Sequence, residues 1–212
     1  MTNRLSWLAL SALLLIGGAL PYPLKAQRTE AYQQSHPVFK RALELWHHEH
    51  YGAAMQQFDR YLQTGEQRLR KARASFYRAR CAMALYHEDT EQQFLDYINT
   101  YPEIGNTNRA YFYLGKYHFR QENYSKTLKY LAKSKPQALK PEREDASRFM
   151  LGYAQYKAGN QQAAKQPLAR LLDHPNAYRA RASSYYGYIN YQEKDYDTAL
   201  QRFRAIQDNK KF

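Results

Sequence analysis

The sequence predicts an all-α chain, a solenoid of about five antiparallel helix pairs. Three observations predict it. Strand formers are scarce: Val38 is the single valine, and isoleucine occurs only at Ile16, Ile98, Ile104, Ile189 and Ile206, while alanine and leucine are plentiful. An internal repeat is present. The segments Tyr111-Phe112-Tyr113-Leu114-Gly115, Arg148-Phe149-Met150-Leu151-Gly152 and Ser183-Ser184-Tyr185-Tyr186-Gly187 align, with their glycines 37 and 35 residues apart. Finally, eight residues after each glycine stands a small polar residue, Asn123, Asn160 or Asp195, suited to cap a second helix.

The elements follow in order. Residues 1–26 read as a secretory signal peptide: Arg4, an apolar run from Leu5 to Leu20, then Pro21 and Pro23 before cleavage after Ala26. The run is too short and too interrupted by glycine for a comfortable membrane span, and no cysteine is placed for a lipid anchor. Removing this segment takes away Arg4 and Lys25, so the remainder carries +11, two fewer than the +13 of the whole chain. Residues 27–36 read as a flexible polar leader.

Residues 37–212 read as the repeat domain, with units at about 38–63, 69–101, 107–133, 142–173 and 178–207. The second helix of each unit repeats a triplet at i, i+3, i+7: Tyr51, Ala54 and Phe58; Tyr124, Thr127 and Leu131; Gln161, Ala164 and Leu168; Tyr196, Ala199 and Phe203. Thr90, Gln93 and Tyr97 form a degenerate copy. Ala42 and Cys81 stand where the later units carry glycine. The small residue lets the second helix approach, and the large residue late in that helix fills the space. A lone hairpin buries only one face, so neighbours must stack. Turn signals separate the units at Gly65, Pro102 with Gly105-Asn106, Pro136 to Pro141, and Pro175-Asn176. Pro167, beyond the first turn of its helix, should cost a hydrogen bond there unless the helix starts later. Cys81, the sole cysteine, reads as a packing residue. The last unit has no capping helix after it, so the array is expected to continue or to be covered by a partner or a second copy.

The small-residue and Tyr-x-x-Ala-x-x-x-Phe pattern resembles the tetratricopeptide repeat (TPR) family. The resemblance covers about residues 36–207, and departs in the second unit, where Arg80 and Gln93 replace a leucine and an alanine. It implies a right-handed superhelix whose first helices line a concave groove that binds peptides. Counting each small residue as the eighth position, the groove positions supply Phe112, Lys116, Phe119, Phe149, Tyr153, Tyr156, Tyr188 and Tyr191, with Arg109, Arg120, Lys157 and Arg181 beside them. Trp46, Leu85, Phe39 and Leu43 occupy equivalent positions. Aromatic area with basic flanks suits an acidic peptide. The Lys and Asn pattern with which chaperone-binding members clamp a C-terminal carboxylate is absent.

No phosphate loop, nucleophile elbow, HExxH or CxxC occurs, so neither an enzyme nor a cofactor is expected. Glu44, His47, His48 and His50 are the one metal-like cluster, read as a polar helix end. Two basic runs, Arg68 to Arg80 and Lys126 to Arg143, read as solvated faces or as an anion-docking face. The resulting expectation is an exported scaffold of the periplasm or cell envelope that binds an acidic protein, with self-association or further repeats at its C-terminal end. Two alternatives share the composition: an RNA-binding helical array, which the signal peptide disfavours, and an envelope protein docking on anionic polymer or lipid headgroups.

Overall fold

The computed structural model describes residues 36–104 and 106–208. The expected signal peptide, and the leader as far as residue 35, lie outside the described residues. Among the described residues there are ten α-helices and no strand. They are α1 Pro37–His47, α2 Tyr51–Thr64, α3 Arg68–Ala84, α4 Thr90–Thr100, α5 Thr107–Arg120, α6 Tyr124–Leu131, α7 Pro141–Lys157, α8 Gln161–Ala169, α9 Arg179–Gln192 and α10 Tyr196–Asp208. The one residue of the expected leader that is described, His36, is tied in: its ring meets Tyr61 edge-on at 5.0 Å and its carbonyl accepts from the Lys40 N–H.

The helix starts follow the sequence locally. Pro37 and Pro141 open α1 and α7, where a missing N–H is no loss, and Glu142 and Glu144 place negative charge at the second of these N-termini. Asn123 and Asp195 cap as expected, accepting from the N–H of Lys126 at 3.1 Å and of Thr198 at 3.2 Å. Asn160 makes no capping bond; its side-chain amide donates to the Gln155 side-chain carbonyl at 3.1 Å.

All five hairpins reverse through one kind of turn. The residue that leaves the first helix is left-handed: Glu49 (φ 61°), Tyr86 (60°), Glu122 (57°), Gly159 (80°) and Lys194 (66°). The next N–H then reaches back five residues, from His50 to Leu45, His87 to Ala82, Asn123 to His118, Asn160 to Gln155 and Asp195 to Asn190, at 2.9–3.0 Å. This is the Schellman closure, which satisfies carbonyls the helix end would otherwise leave unpaired. In every hairpin but the second, the donor of that bond also stands immediately before the second helix.

Two second helices are shorter than the periodicity predicts. α6 ends at Leu131 instead of 133, and α8 at Ala169 instead of 173. Pro167 sits inside α8 and has no N–H to return to the preceding turn. Beyond it the chain tightens, with Leu171 N–H bonding Leu168 O at 3.1 Å and Leu172 N–H bonding Ala169 O at 2.9 Å. The fourth seam is kept because Leu171 and Leu172 still bury their side chains.

Each helix packs on its chain neighbours, and the first helices also touch one another from hairpin to hairpin, α1 on α3, α3 on α5, α5 on α7 and α7 on α9. No pair of second helices makes comparably broad contact. The first helices are therefore the closer-spaced, inner row of the stack. Its core runs along the seams as three apolar clusters, around Phe39, Phe58 and Cys81, around Phe76, Phe94 and Leu114, and around Phe149, Leu168 and Ile189. Tyr196 departs from its seam reading. It is 57% exposed, as no further described hairpin stacks on α10.

Candidate functional site

The inner row presents aromatic side chains at nearly every turn, because the tyrosine-rich first helices point one stripe at the second helices and another at the neighbouring first helix. Towards the C-terminal end these form a continuous ladder. Phe119 meets Tyr153 at 5.5 Å, Tyr153 meets Tyr185 at 4.9 Å, Tyr185 meets Tyr156 at 5.3 Å and Tyr156 meets Tyr188 at 6.1 Å. Most of these contacts are edge-to-face or tilted, the arrangement favoured by ring quadrupoles. Burial raises the Tyr153, Tyr156 and Tyr185 phenols; Tyr124 adds to it for Tyr153, Tyr188 and Tyr185 for Tyr156, and Tyr153 for Tyr185. All three hydroxyls remain neutral donors.

The twelve residues expected at the groove divide into three groups. Phe112 and Phe149 are only 2% and 5% exposed, so they support the wall from behind and do not form its surface. Phe119, Tyr153 and Tyr156 are half-buried members of the ladder, and Tyr188 and Tyr191 are exposed. The cations are placed against rings: Arg181 lies 4.9 Å over Phe149 and 5.1 Å over Tyr178, Lys157 lies 6.0 Å over Tyr124, and Arg109 lies 4.8 Å over Phe76. Arg120 is drawn to the hairpin turn, where it bonds the Tyr86 hydroxyl and covers that ring at 4.6 Å. Lys116 is exposed.

Sequence reasoning misses three participants and the setting of a fourth. Tyr185 joins Tyr153 to Tyr156, and Tyr178 stacks on Phe149 at 5.1 Å. Tyr77 links Trp46, at 4.9 Å, to Phe58, at 5.8 Å. Arg80 lies between Trp46, at 4.4 Å, and Tyr113, at 4.5 Å. The signal for Tyr185 is present in the repeated Ser183-to-Gly187 motif, but one position away from the family's groove positions. Arg80 stands out in the sequence as a departure from the leucine of the repeat and as the end of a basic run read as a solvated or anion-docking face, not as a residue packed between rings.

A second polar cluster is built at the outer seam of the second and third hairpins. Glu91 accepts from Lys126 at 2.8 Å and from the Tyr130 hydroxyl at 2.5 Å, and its Oε2 lies 3.3 Å from Nε2 of the buried His118. The His118 ring stacks on Tyr130 at 5.4 Å. Burial lowers the His118 pKa, only partly opposed by Glu91. For Glu91, burial pushes upward, but bonds from Lys126 and Tyr130 and the nearby His118 outweigh it and leave the carboxyl below its usual range. The bonds that Glu91 accepts from Lys126 and Tyr130 join two hairpins, while both ring nitrogens of His118 are buried without a hydrogen-bond partner.

Cys81 is fully buried among Phe39, Phe58 and Ala74, and burial pushes its thiol up to about 12. The histidine-rich end of α1 is spread out: Glu44 turns to Arg41 at 3.5 Å, and the His47 ring meets Trp46 edge-on at 5.1 Å. Among the described residues no three potential metal donors converge. No helix among them is long and apolar enough to cross a membrane.

No protein-family model matches the chain. No curated protein matches it either. Among solved structures it is similar to MamA of AMB-1, with TM-score 0.65 and 14% identity over 86% of this chain and 92% of that one. It is also similar to MamA of MSR-1, with TM-score 0.62 and 13% identity over 81% of this chain and 93% of that one. MamA is a TPR-repeat protein. At these identities the likeness is one of fold: the chain is a TPR-like helical-repeat solenoid.

Proposed function

We propose that this TPR-like solenoid is a non-enzymatic adaptor that binds an acidic protein or peptide partner along the inner row of first helices. The observation that carries this reading is the aromatic ladder from Phe119 to Tyr188 with Arg181 and Lys157 beside it. Rings pre-packed against one another lose little entropy when a ligand covers them, and cations held over rings keep donors free for an acidic partner.

The compartment is the second half of the proposal. The N-terminal sequence supports export, which places the adaptor in the periplasm or cell envelope and gives it a role in envelope assembly or secretion. The exposed Tyr196, Leu200 and Phe203 of α10 support a further contact at the C-terminal end, with another copy or with more repeats.

The test is recovery of partners from envelope extract by the full chain and by a Tyr156→Ala/Tyr188→Ala variant. A partner retained by the first and lost by the second is the expected outcome. Equal recovery by both contradicts groove binding, and salt-sensitive recovery of RNA or of anionic vesicles in place of a protein favours the alternative readings.

A further inference from the structure

Three arginines from three successive hairpins converge on one phenol. Arg80 of α3 lies 4.5 Å from the Tyr113 ring and 4.4 Å from Trp46. Arg109 of α5 lies 4.8 Å over Phe76, whose ring is 5.8 Å from Tyr113. Arg143 of α7 approaches the Tyr113 hydroxyl. Burial pushes the Tyr113 phenol up, yet the field of Arg80, Arg143 and Arg109 outweighs it and leaves the phenol below its usual value.

Four other half-buried cations among the described residues are neutralised, whereas Arg202, over the Tyr186 ring with its own Nε unpartnered, is not. Arg78 pairs with Asp59, Arg148 with Glu144, Lys126 with Glu91 and Lys165 with Glu193. Among the described residues no carboxylate forms an ion pair with Arg80, Arg109 or Arg143. The Arg109 Nε is also buried with no acceptor among them, which costs free energy unless a ligand supplies one. Like charges gathered around a buried ring are unfavourable by themselves, and an anion relieves both deficits.

We infer that Arg80, Arg109 and Arg143 form a carboxylate-binding subsite for an acidic side chain of an extended peptide. This assignment rests on the reading of the inner row as a partner-binding surface. A peptide carboxylate is the occupant that the inner row, read as a surface for an acidic protein partner, supplies. The Arg80 guanidinium packs over two rings, which leaves its edge to donate, and that edge takes a carboxylate bidentately. Preformed ring packing fixes this orientation before a ligand arrives.

Trp46 makes the subsite observable. The chain has two tryptophans, Trp7 and Trp46, so the full chain carrying Trp7→Phe reports on the ring against Arg80 alone. The probes are a capped hexaglutamate peptide, a capped hexaglutamine peptide, inorganic phosphate and oligouridylate, titrated at low salt while Trp46 emission is followed. Saturable binding of hexaglutamate, with hexaglutamine inert and phosphate weaker, is the expected result. Arg80→Gln, Arg109→Gln and Arg143→Gln should each weaken it about tenfold or more, and Arg60→Gln on α2 should leave it unchanged. Helical circular dichroism checks each variant, and Arg143→Gln, which removes no guanidinium packed between rings, serves if Arg80→Gln fails to fold. Tighter binding of phosphate or oligouridylate overturns the assignment, as does the absence of any Trp46 response to hexaglutamate. Binding that survives all three arginine substitutions but is lost in Tyr156→Ala/Tyr188→Ala overturns the subsite while leaving partner binding by the inner row intact.

Discussion

The Leu131 side chain occupies the space a Cβ on Gly115 would need, with its Cδ2 and Cγ each 2.5 Å from that position. Gly152 and Leu168 repeat the relationship at 2.6 Å, and Gly187 and Phe203 at 2.9 Å. The glycine is required here by close approach of two helices, not by backbone conformation. Gly115→Ala and Gly152→Ala should each destabilise the fold by about 1–3 kcal/mol, because the leucine must leave its rotamer or the helices must separate. Gly52, on an exposed helix face with nothing within 4 Å of the place a Cβ would take, is the control. Gly52→Ala should stabilise by roughly 0.5–1 kcal/mol. Urea midpoints of the three variants check the contrast.

The recurrent turn makes a prediction of opposite sign. Glu122 and Lys194 hold φ of 57° and 66°, a conformation that favours glycine, and the fourth hairpin does use Gly159 there. Glu122→Gly and Lys194→Gly should raise stability by about 0.5–1 kcal/mol, less any entropy gained by the unfolded chain. Gly159→Ala should lower it by a similar amount. Thermal melting distinguishes the two directions.

The Glu91–His118 cluster should make the second seam acid-sensitive. His118 is held below its ordinary 6.5, chiefly by burial, so on acidification the unfolded chain takes up this proton first and stability falls from about that pH downwards. Glu91 is held below its ordinary 4.5, so its contribution is present above that value and is lost as pH falls through its lower folded pKa. Both effects have one sign. Between pH 7.5 and pH 5.5 the wild-type urea midpoint should drop further than that of His118→Gln, and equal drops would show that His118 does not control the change.

Cys81 should be inert in the folded chain. Burial and a pKa near 12 leave almost no thiolate at neutral pH. A maleimide reagent should label it only at the rate of unfolding, with full labelling in urea. Rapid labelling of the native chain would contradict its place in the seam.

The sequence reveals the seams more clearly than the surface. The small residue and its partner late in the second helix recur because packing between two helices is local and periodic, so Ala42 with Phe58 and Gly152 with Leu168 are legible from spacing alone. The turns are less so, since Glu49, Tyr86, Glu122 and Lys194 give no glycine signal for a left-handed residue. Phe112 and Phe149 occupy groove positions by count but are buried, because counting fixes the face of one helix and not how closely the next hairpin covers it. The setting of Arg80 is hidden for the same reason: it is made by Trp46 and Tyr113, one hairpin before and one after. The end of α8 falls early because Pro167 removes a hydrogen bond that periodicity does not register.

The central claim, that the inner row holds an acidic protein partner in the cell envelope, is tested most directly by photocrosslinking in living cells. A photoreactive residue at Tyr188, on the ladder, is compared with one at Lys129, on the second helix α6. The account predicts a discrete protein adduct in the envelope fraction from the Tyr188 position, absent from the Lys129 position and lost when Tyr156→Ala is added. Adducts to RNA, adducts equal at both positions, or a chain retained inside the cell would contradict it.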